Sequence, residues 1–223
     1  MESFKFYLWS LFLFFAELIL PQKCIICNTH GTLFCSMCIS GLQLVGRETD
    51  IDIIALFDYR DNAIKKAIWH LKYYRSKNIG VLFGKILYEH TLEDISSLRS
   101  LTRGLPLIVI PVPLTRAKIK IRGYNQAETI ARSFCECNPE VLQLYTHVII
   151  KKHNTLPQAR LHNRSARLKN IKGTFEIHEP NILKGRTVIL IDDVTTTGGT
   201  FNEIMKLCKK AKVKKVIGLA LAH

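Results

Sequence analysis

Residues 187–200 read TVILIDDVTTTGGT. Val188–Ile191 is an unbroken apolar run behind Thr187, the pattern of an interior strand covered on both faces. Two carboxylates, Asp192 and Asp193, follow at its carboxyl end, where open α/β sheets gather their ligands. Thr195, Thr196, Thr197, Gly198, Gly199 and Thr200 then form a short loop that enters a helix over 200–210. Glycines admit an anion close to the backbone, amides at a helix start donate to it, and threonine hydroxyls add further donors. A phosphate is therefore expected in the loop, with hydroxyls or a metal beside the carboxylates, and a phosphorylated sugar fits both halves. The plain alternative is a strand–turn–helix with a Gly-rich turn, and the acid pair between strand and loop argues against it. The segment is neither a Walker loop, since no Gly-Lys-Ser/Thr follows, nor a dinucleotide fingerprint, since Gly-x-Gly-x-x-Gly is absent.

Around this segment the chain alternates strands and helices. Ile51–Phe57, Leu107–Val112, Val148–Ile150 and Val216–Leu221 read as strands. Asp61–Tyr74, with Ile64, Ile68 and Leu71 at helical spacing, Ile79–His90 and Asn125–Cys137 read as helices. Thr91–Gly104 is polar and is expected to be a loop. Apolar strands alternating with amphipathic helices predict an α/β fold, a parallel sheet flanked by helices.

Two further segments carry chemistry. IPVPLTR, residues 110–116, ends a strand with two prolines, and IRGYNQA, residues 121–127, opens a helix. Pro111 and Pro113, on either side of Val112, fix the backbone as it leaves the sheet. Arg116, Lys118, Lys120 and Arg122 crowd one turn, where they repel one another unless an anion such as pyrophosphate is present; a basic surface loop is the alternative. HNTLPQARLHNRSARLKNIKG, residues 153–173, suits a polar, cationic flap that closes over charged substrate, with Gln158, Arg160 and Arg167 facing it, or else a solvated basic linker.

The acid-pair segment resembles the phosphoribosyl-pyrophosphate signature of the type I phosphoribosyltransferases. That resemblance places the ribose hydroxyls at Asp192 and Asp193 and the 5′-phosphate at Thr195–Thr200. The double-proline strand end, Arg-Gly-Tyr-Asn-Gln at 122–126, and Gln158, Arg160, Arg167, Asn170 and Gly173 ahead of the acid pair resemble the ComF family. Asp58-Tyr59, Ile68 and Leu71-Lys72 add to this, and the likeness covers roughly residues 20–223. Tyr124 departs from it, standing where Phe is more usual. The resemblance implies a phosphoribosyltransferase-like domain behind an N-terminal cysteine zinc module, Mg²⁺ bound with phosphoribosyl pyrophosphate, and a role in DNA uptake by competent bacteria.

Four of the seven cysteines, Cys24, Cys27, Cys35 and Cys38, form two Cys-x-x-Cys pairs seven residues apart. This is the spacing of a closed, structural four-thiolate Zn²⁺ site; two redox pairs or buried thiols are the alternatives, and His30 is a spare ligand. An odd, clustered cysteine set argues for a reducing compartment and against a disulfide framework. The expected organisation is a hydrophobic N-terminal helix over 1–22, the cysteine module over 23–44 and the catalytic-type domain over 50–223. The apolar run Phe6–Ala16 is too short to span a membrane and lacks the charge asymmetry and cleavage site of a signal peptide. It is expected to dock on the protein or a partner, in a cytoplasmic protein, with peripheral membrane attachment through residues 1–20 as the alternative.

The net charge of +14 predicts attraction to polyanions. Residues 151–172 hold seven Lys or Arg and no acid, and residues 206–215 hold six Lys and no acid. Three functional readings follow. The first is phosphoribosyl transfer from phosphoribosyl pyrophosphate to an acceptor, with Asp192 and Asp193 catalytic. The second is a DNA-binding accessory of uptake that contacts single-stranded DNA, a reading weakened by the scarcity of aromatic residues over 151–172. The third is a structural protein held to a membrane-associated uptake machinery by its N-terminus, which leaves the acid-pair loop without a purpose.

Overall fold

A computed structural model describes residues 22–45, 52–74, 76–152 and 173–223. The expected N-terminal helix and the basic flap, with Gln158, Arg160 and Arg167, lie outside the described residues. The chain divides between Leu42 and Gln43 into two compact units.

The small unit is a cysteine knuckle. Cys24 N–H donates to Thr29 O at 2.8 Å and Asn28 N–H returns to Cys24 O at 2.9 Å, with Asn28 in the left-handed region at φ 62°. Cys35 caps a one-turn helix, α1 (Ser36–Ser40), that carries Cys38. Ile25 and Phe34 are its buried apolar pair.

In the large unit, five parallel strands form one sheet in the order β1-β7-β6-β2-β3. They are β1 (Ile53–Phe57), β2 (Leu107–Pro111), β3 (Leu142–Leu144), β6 (Thr187–Val194) and β7 (Lys215–Ala222). The helices are α2 (Asn62–Tyr73), α3 (Lys77–His90), α4 (Leu92–Ser100), α5 (Arg116–Arg122), α6 (Gln126–Glu136), α7 (Pro180–Leu183) and α8 (Gly199–Lys210). Val188, Ile189, Leu190 and Ile191 in β6, and Leu107–Ile110 in β2, are almost wholly excluded from solvent. This is why both strands read as continuous apolar runs rather than alternating ones. The parallel α/β fold is as the pattern implies.

Three expectations need correction. Thr91–Gly104 is not a loop: Leu92–Ser100 is helical, anchored by buried Ile95 and Leu98. Two apolar anchors in nine residues leave little periodicity to read, and packing supplies the helix. Residues 148–150 do not join the parallel sheet. Instead β4 (Ile149–Lys151) pairs antiparallel with β5 (Phe175–Ile177), a strand with no expectation behind it, as a separate two-stranded ribbon. Residues 116–122 form helix α5 rather than an open basic turn, with Thr115 accepting from Lys118 N–H at the start and Gly123, at φ 84°, closing the end.

Candidate functional site

β6 sits between β7 and β2, and the connections from β2 and β6 leave in opposite directions along the sheet: β2 leads to β3 on one side, β6 to β7 on the other. Such a switch point opens a crevice at the strands' carboxyl ends. A cleft of about 290 Å³ lies there, lined by Val112–Leu114 after β2 and by Asp192–Thr200, the end of β6 and the loop that follows it. β6 runs beyond the acid pair to Val194, so both carboxylates belong to the strand itself: Asp192 pairs with Ala220 and Val194 with Ala222.

Asp192 and Asp193 therefore leave opposite faces of the strand. Lys72, from the end of α2, reaches Asp193, with Nζ to Oδ2 at 3.3 Å and both side chains largely buried. Asp192 makes no ion pair within 4 Å among the described residues; its Oδ1 accepts the Asp193 N–H at 2.8 Å. Burial, and then the Asp193 charge, push the Asp192 carboxyl up from 3.8 to about 7. Beyond it, Thr195 N–H donates to Ala222 O at 2.9 Å and fixes the start of the loop. Gly198 caps α8 at φ 67°, a conformation that turns the chain sharply into the helix and that a side chain would resist.

The cations around the cleft come from three elements. Lys118 and Arg122 are four residues apart on α5 and share the face that lines it, together with Lys72 from α2 and Lys151 from β4. Burial, then Arg122 and Lys72, hold Lys118 below the usual lysine range, and burial, then Lys118, does the same to Lys151. Cations that depress one another in a partly dry cleft are satisfied by an anion. Arg122 Nη1 also donates to Gln126 Oε1 at 2.8 Å. Asn125 caps α6 through Ala127 N–H and ties it to the strand end by donating to Val112 O at 3.1 Å.

The structure thus gathers Asp192, Asp193, Thr195–Thr200, Val112, Pro113 and Arg122 at one cleft. It leaves out Arg116, which is exposed and turned away, and Pro111, which ends β2 inside the sheet. Helical phase explains Arg116: positions 118 and 122 share a face, and 116 is on another. Lys151, Gln126, Asn125, Tyr59 and Lys72 also line the cleft: Asn125, Gln126, Tyr59 and Lys72 belong to the segments that carry the family resemblance, and Lys151 stands in the sequence only as one of a basic cluster. Their contribution follows from tertiary placement, since each is an ordinary polar residue in its own segment. Tyr124, the departure from the usual Phe, gives its hydroxyl to Leu71 O and so clamps the start of α6 to the end of α2, beside Lys72.

In the small unit the four Sγ atoms of Cys24, Cys27, Cys35 and Cys38 lie within 4.8 Å of one another, and Cys27 and Cys35 are 3.5 Å apart. Four thiolates around one tetrahedral Zn²⁺ at about 2.3 Å stand about 3.8 Å apart, so the set fits a metal. Although burial raises the Cys24 thiol, amide donors from Cys27, Cys35 and Ile26 outweigh it and bring it to about 6, which favours thiolate. His30 stays exposed and outside the group.

An acid pair and a Thr/Gly loop at the switch point of a parallel sheet define a phosphoribosyltransferase-type domain. The chain belongs to the phosphoribosyl transferase domain family, which matches residues 109–223, just over half of its length. It is similar to competence protein F of Haemophilus influenzae, at 33% identity over 120 residues, 53% of this chain and 51% of that protein. The chain therefore spans about half the length of that relative. DNA utilization protein YhgH of Escherichia coli K12 is 28% identical over 195 residues, 84% of this chain and 77% of that protein. With these relatives and the four-cysteine module the chain is ComF-like, as the motifs implied. Solved structures similar to it include hypoxanthine phosphoribosyltransferases of Staphylococcus aureus (15% identity, 62% of this chain and 61% of that one, TM-score 0.38) and Trypanosoma cruzi (13%, 65% and 65%, 0.41). Among the described residues no helix is long and apolar enough to cross a membrane.

Proposed function

We propose that the cleft binds phosphoribosyl pyrophosphate and transfers its phosphoribosyl group to an acceptor. The observation that carries this is the pairing of Asp192 and Asp193 with the Thr195–Thr200 loop inside a ring of Lys72, Lys118, Arg122 and Lys151. The loop amides and hydroxyls take the 5′-phosphate, the carboxylates take the ribose hydroxyls, and the cations face the pyrophosphate. Asp193, held by Lys72, orients the sugar. Asp192, with its raised proton affinity and no ion-pair partner of its own among the described residues, serves as base. As the acceptor's lone pair bonds to the ribose C1, the C1–O bond to pyrophosphate breaks, and the acceptor's proton passes to Asp192. Asp192, which has no ion-pair partner of its own among the described residues, and Asp193 are the groups beside which Mg²⁺ would be held with the substrate, and the ion would supply charge neutralisation on the pyrophosphate. In the small unit the four cysteines hold structural Zn²⁺.

Calorimetric titration of phosphoribosyl pyrophosphate with Mg²⁺ tests this reading. Binding to wild type and none to Asp192→Ala/Asp193→Ala is expected; no binding to wild type refutes it.

The second reading, a DNA-binding accessory of uptake, is favoured by the charge of +14 and by relatives named for competence and DNA utilization. Strand binding of this kind survives the Asp192→Ala/Asp193→Ala change and falls steeply with salt. Attachment to a membrane-associated uptake machinery, the third reading, rests on residues 1–20, which lie outside the described residues.

A further inference from the structure

The outward face of α2 carries aromatic rings where an exposed helix face ordinarily carries charged and polar side chains. Ile64, Ala67, Ile68 and Leu71 take the buried stripe. Helical phase then turns two rows to solvent, Lys65–Trp69–Tyr73 and Lys66–His70–Tyr74, each headed by a lysine and continued by rings. Trp69, Tyr73 and Tyr74 are 49%, 62% and 59% exposed. The rings form one connected set: Trp69 lies 4.9 Å from Tyr74 and 5.8 Å from both His70 and Tyr73, and His70 stacks on Tyr74 at 4.6 Å. Large exposed rings grouped in this way mark a surface that something covers. The charge on the same two rows favours an anionic partner: Lys65 and Lys66, one turn before the rings, are both exposed. The rings do not line the phosphosugar cleft, although Lys72 of the same helix reaches into it.

We propose that this face of α2 is a stacking platform for the bases of a single-stranded nucleic acid, with Lys65 and Lys66 meeting its phosphates. The inference rests on the DNA-binding reading above and gives it the aromatic surface that residues 151–172 lack. Every base offers a π-face, so rings set among cations bind single strands with little regard to sequence. A duplex keeps those faces inside its own stack, and the platform therefore selects unpaired strands. An anionic lipid surface shares the charge requirement. It is served best by aliphatic side chains that enter the acyl region, and the two rows contain none.

The test is fluorescence anisotropy of a labelled oligo(dT) strand titrated with the full chain at fixed salt, in wild type and in Trp69→Ala/Tyr73→Ala. Losing two stacking rings is expected to weaken binding about tenfold or more. Trp69→Phe/Tyr73→Phe should keep most of the affinity. Inorganic polyphosphate, which offers charge without bases, should bind wild type and the alanine variant alike. Wild type that ignores oligo(dT) overturns the DNA reading and the platform together. Wild type that binds, with the alanine variant unchanged, overturns the platform alone. Loss of binding to phosphatidylserine vesicles with oligo(dT) affinity intact gives the face to a membrane and overturns the proposal as well.

Discussion

Replacing Asp192 with asparagine should stabilise the free protein above neutral pH and leave its stability unaltered in acid. Burial and the neighbouring Asp193 charge raise the Asp192 pKa from 3.8 to about 7. Between those values the folded chain holds more protons at this site than the unfolded chain does. Stability therefore falls as pH rises through the window, and above it the full cost of an ionised Asp192 is present. Each tenfold change in proton affinity corresponds to about 1.4 kcal/mol, so the rise at Asp192 sets a ceiling of about 4 kcal/mol. The cleft is open to solvent, which screens the Asp192 charge, so about 2 kcal/mol is the expected gain at pH 8. Asparagine keeps the oxygen that accepts the Asp193 N–H at 2.8 Å and adds no volume. For a chain of this size the gain is a rise in Tm of about 4–8 °C. Asp193→Asn should move the other way by about 2–3 kcal/mol, because it strips Lys72 of its partner and leaves a largely buried ammonium. Melting followed by circular dichroism from pH 4 to pH 8, without ligand and at constant ionic strength, measures both. An Asp192→Asn protein that melts no higher than wild type at pH 8, or two carboxamide variants that move Tm the same way, would refute the charge argument.

Other outcomes follow from the same geometry. Lys118→Ala should weaken phosphoribosyl pyrophosphate binding about tenfold or more, as loss of a charge-assisted hydrogen bond does. Arg116→Ala, on the outer face of α5, should change it less than about twofold by the same calorimetry. Elemental analysis should find about one zinc per chain, lost in Cys24→Ser and released by thiol modification, since the four Sγ atoms form a single group. Gly84→Ala should lower Tm by about 5–10 °C, because its Cβ would meet Ile130 O at 2.5 Å and Ser133 Cβ at 2.7 Å where α3 packs on α6; an unchanged Tm would contradict that packing.

Much of the site is local and for that reason legible in the chain. An apolar strand, an acid pair and a Thr/Gly loop are consecutive residues, so their spacing alone implies a ligand end and an anion cradle. The paired Cys-x-x-Cys spacing is equally local. The net charge and its clustering are likewise properties of composition, independent of how the chain folds.

Only tertiary structure decided which cations serve the cleft and which stand away from it. Lys72, Lys118 and Lys151 come from α2, α5 and β4, and no one segment shows that the three meet, while Arg116 and Lys120 are equivalent to Lys118 and Arg122 until helical phase separates them. The unequal Asp pair is also a tertiary product: Asp192 and Asp193 are adjacent and chemically identical, and Lys72 reaches one of them from a distant part of the chain. The aromatic face of α2 becomes visible only once Ile64, Ile68 and Leu71 have claimed the buried side and left Trp69, Tyr73 and Tyr74 in water. Sequence alone determines what each residue can do over a few neighbours. Burial, electrostatic coupling and helical phase against a partner depend on distances that exist only after the chain has closed on itself.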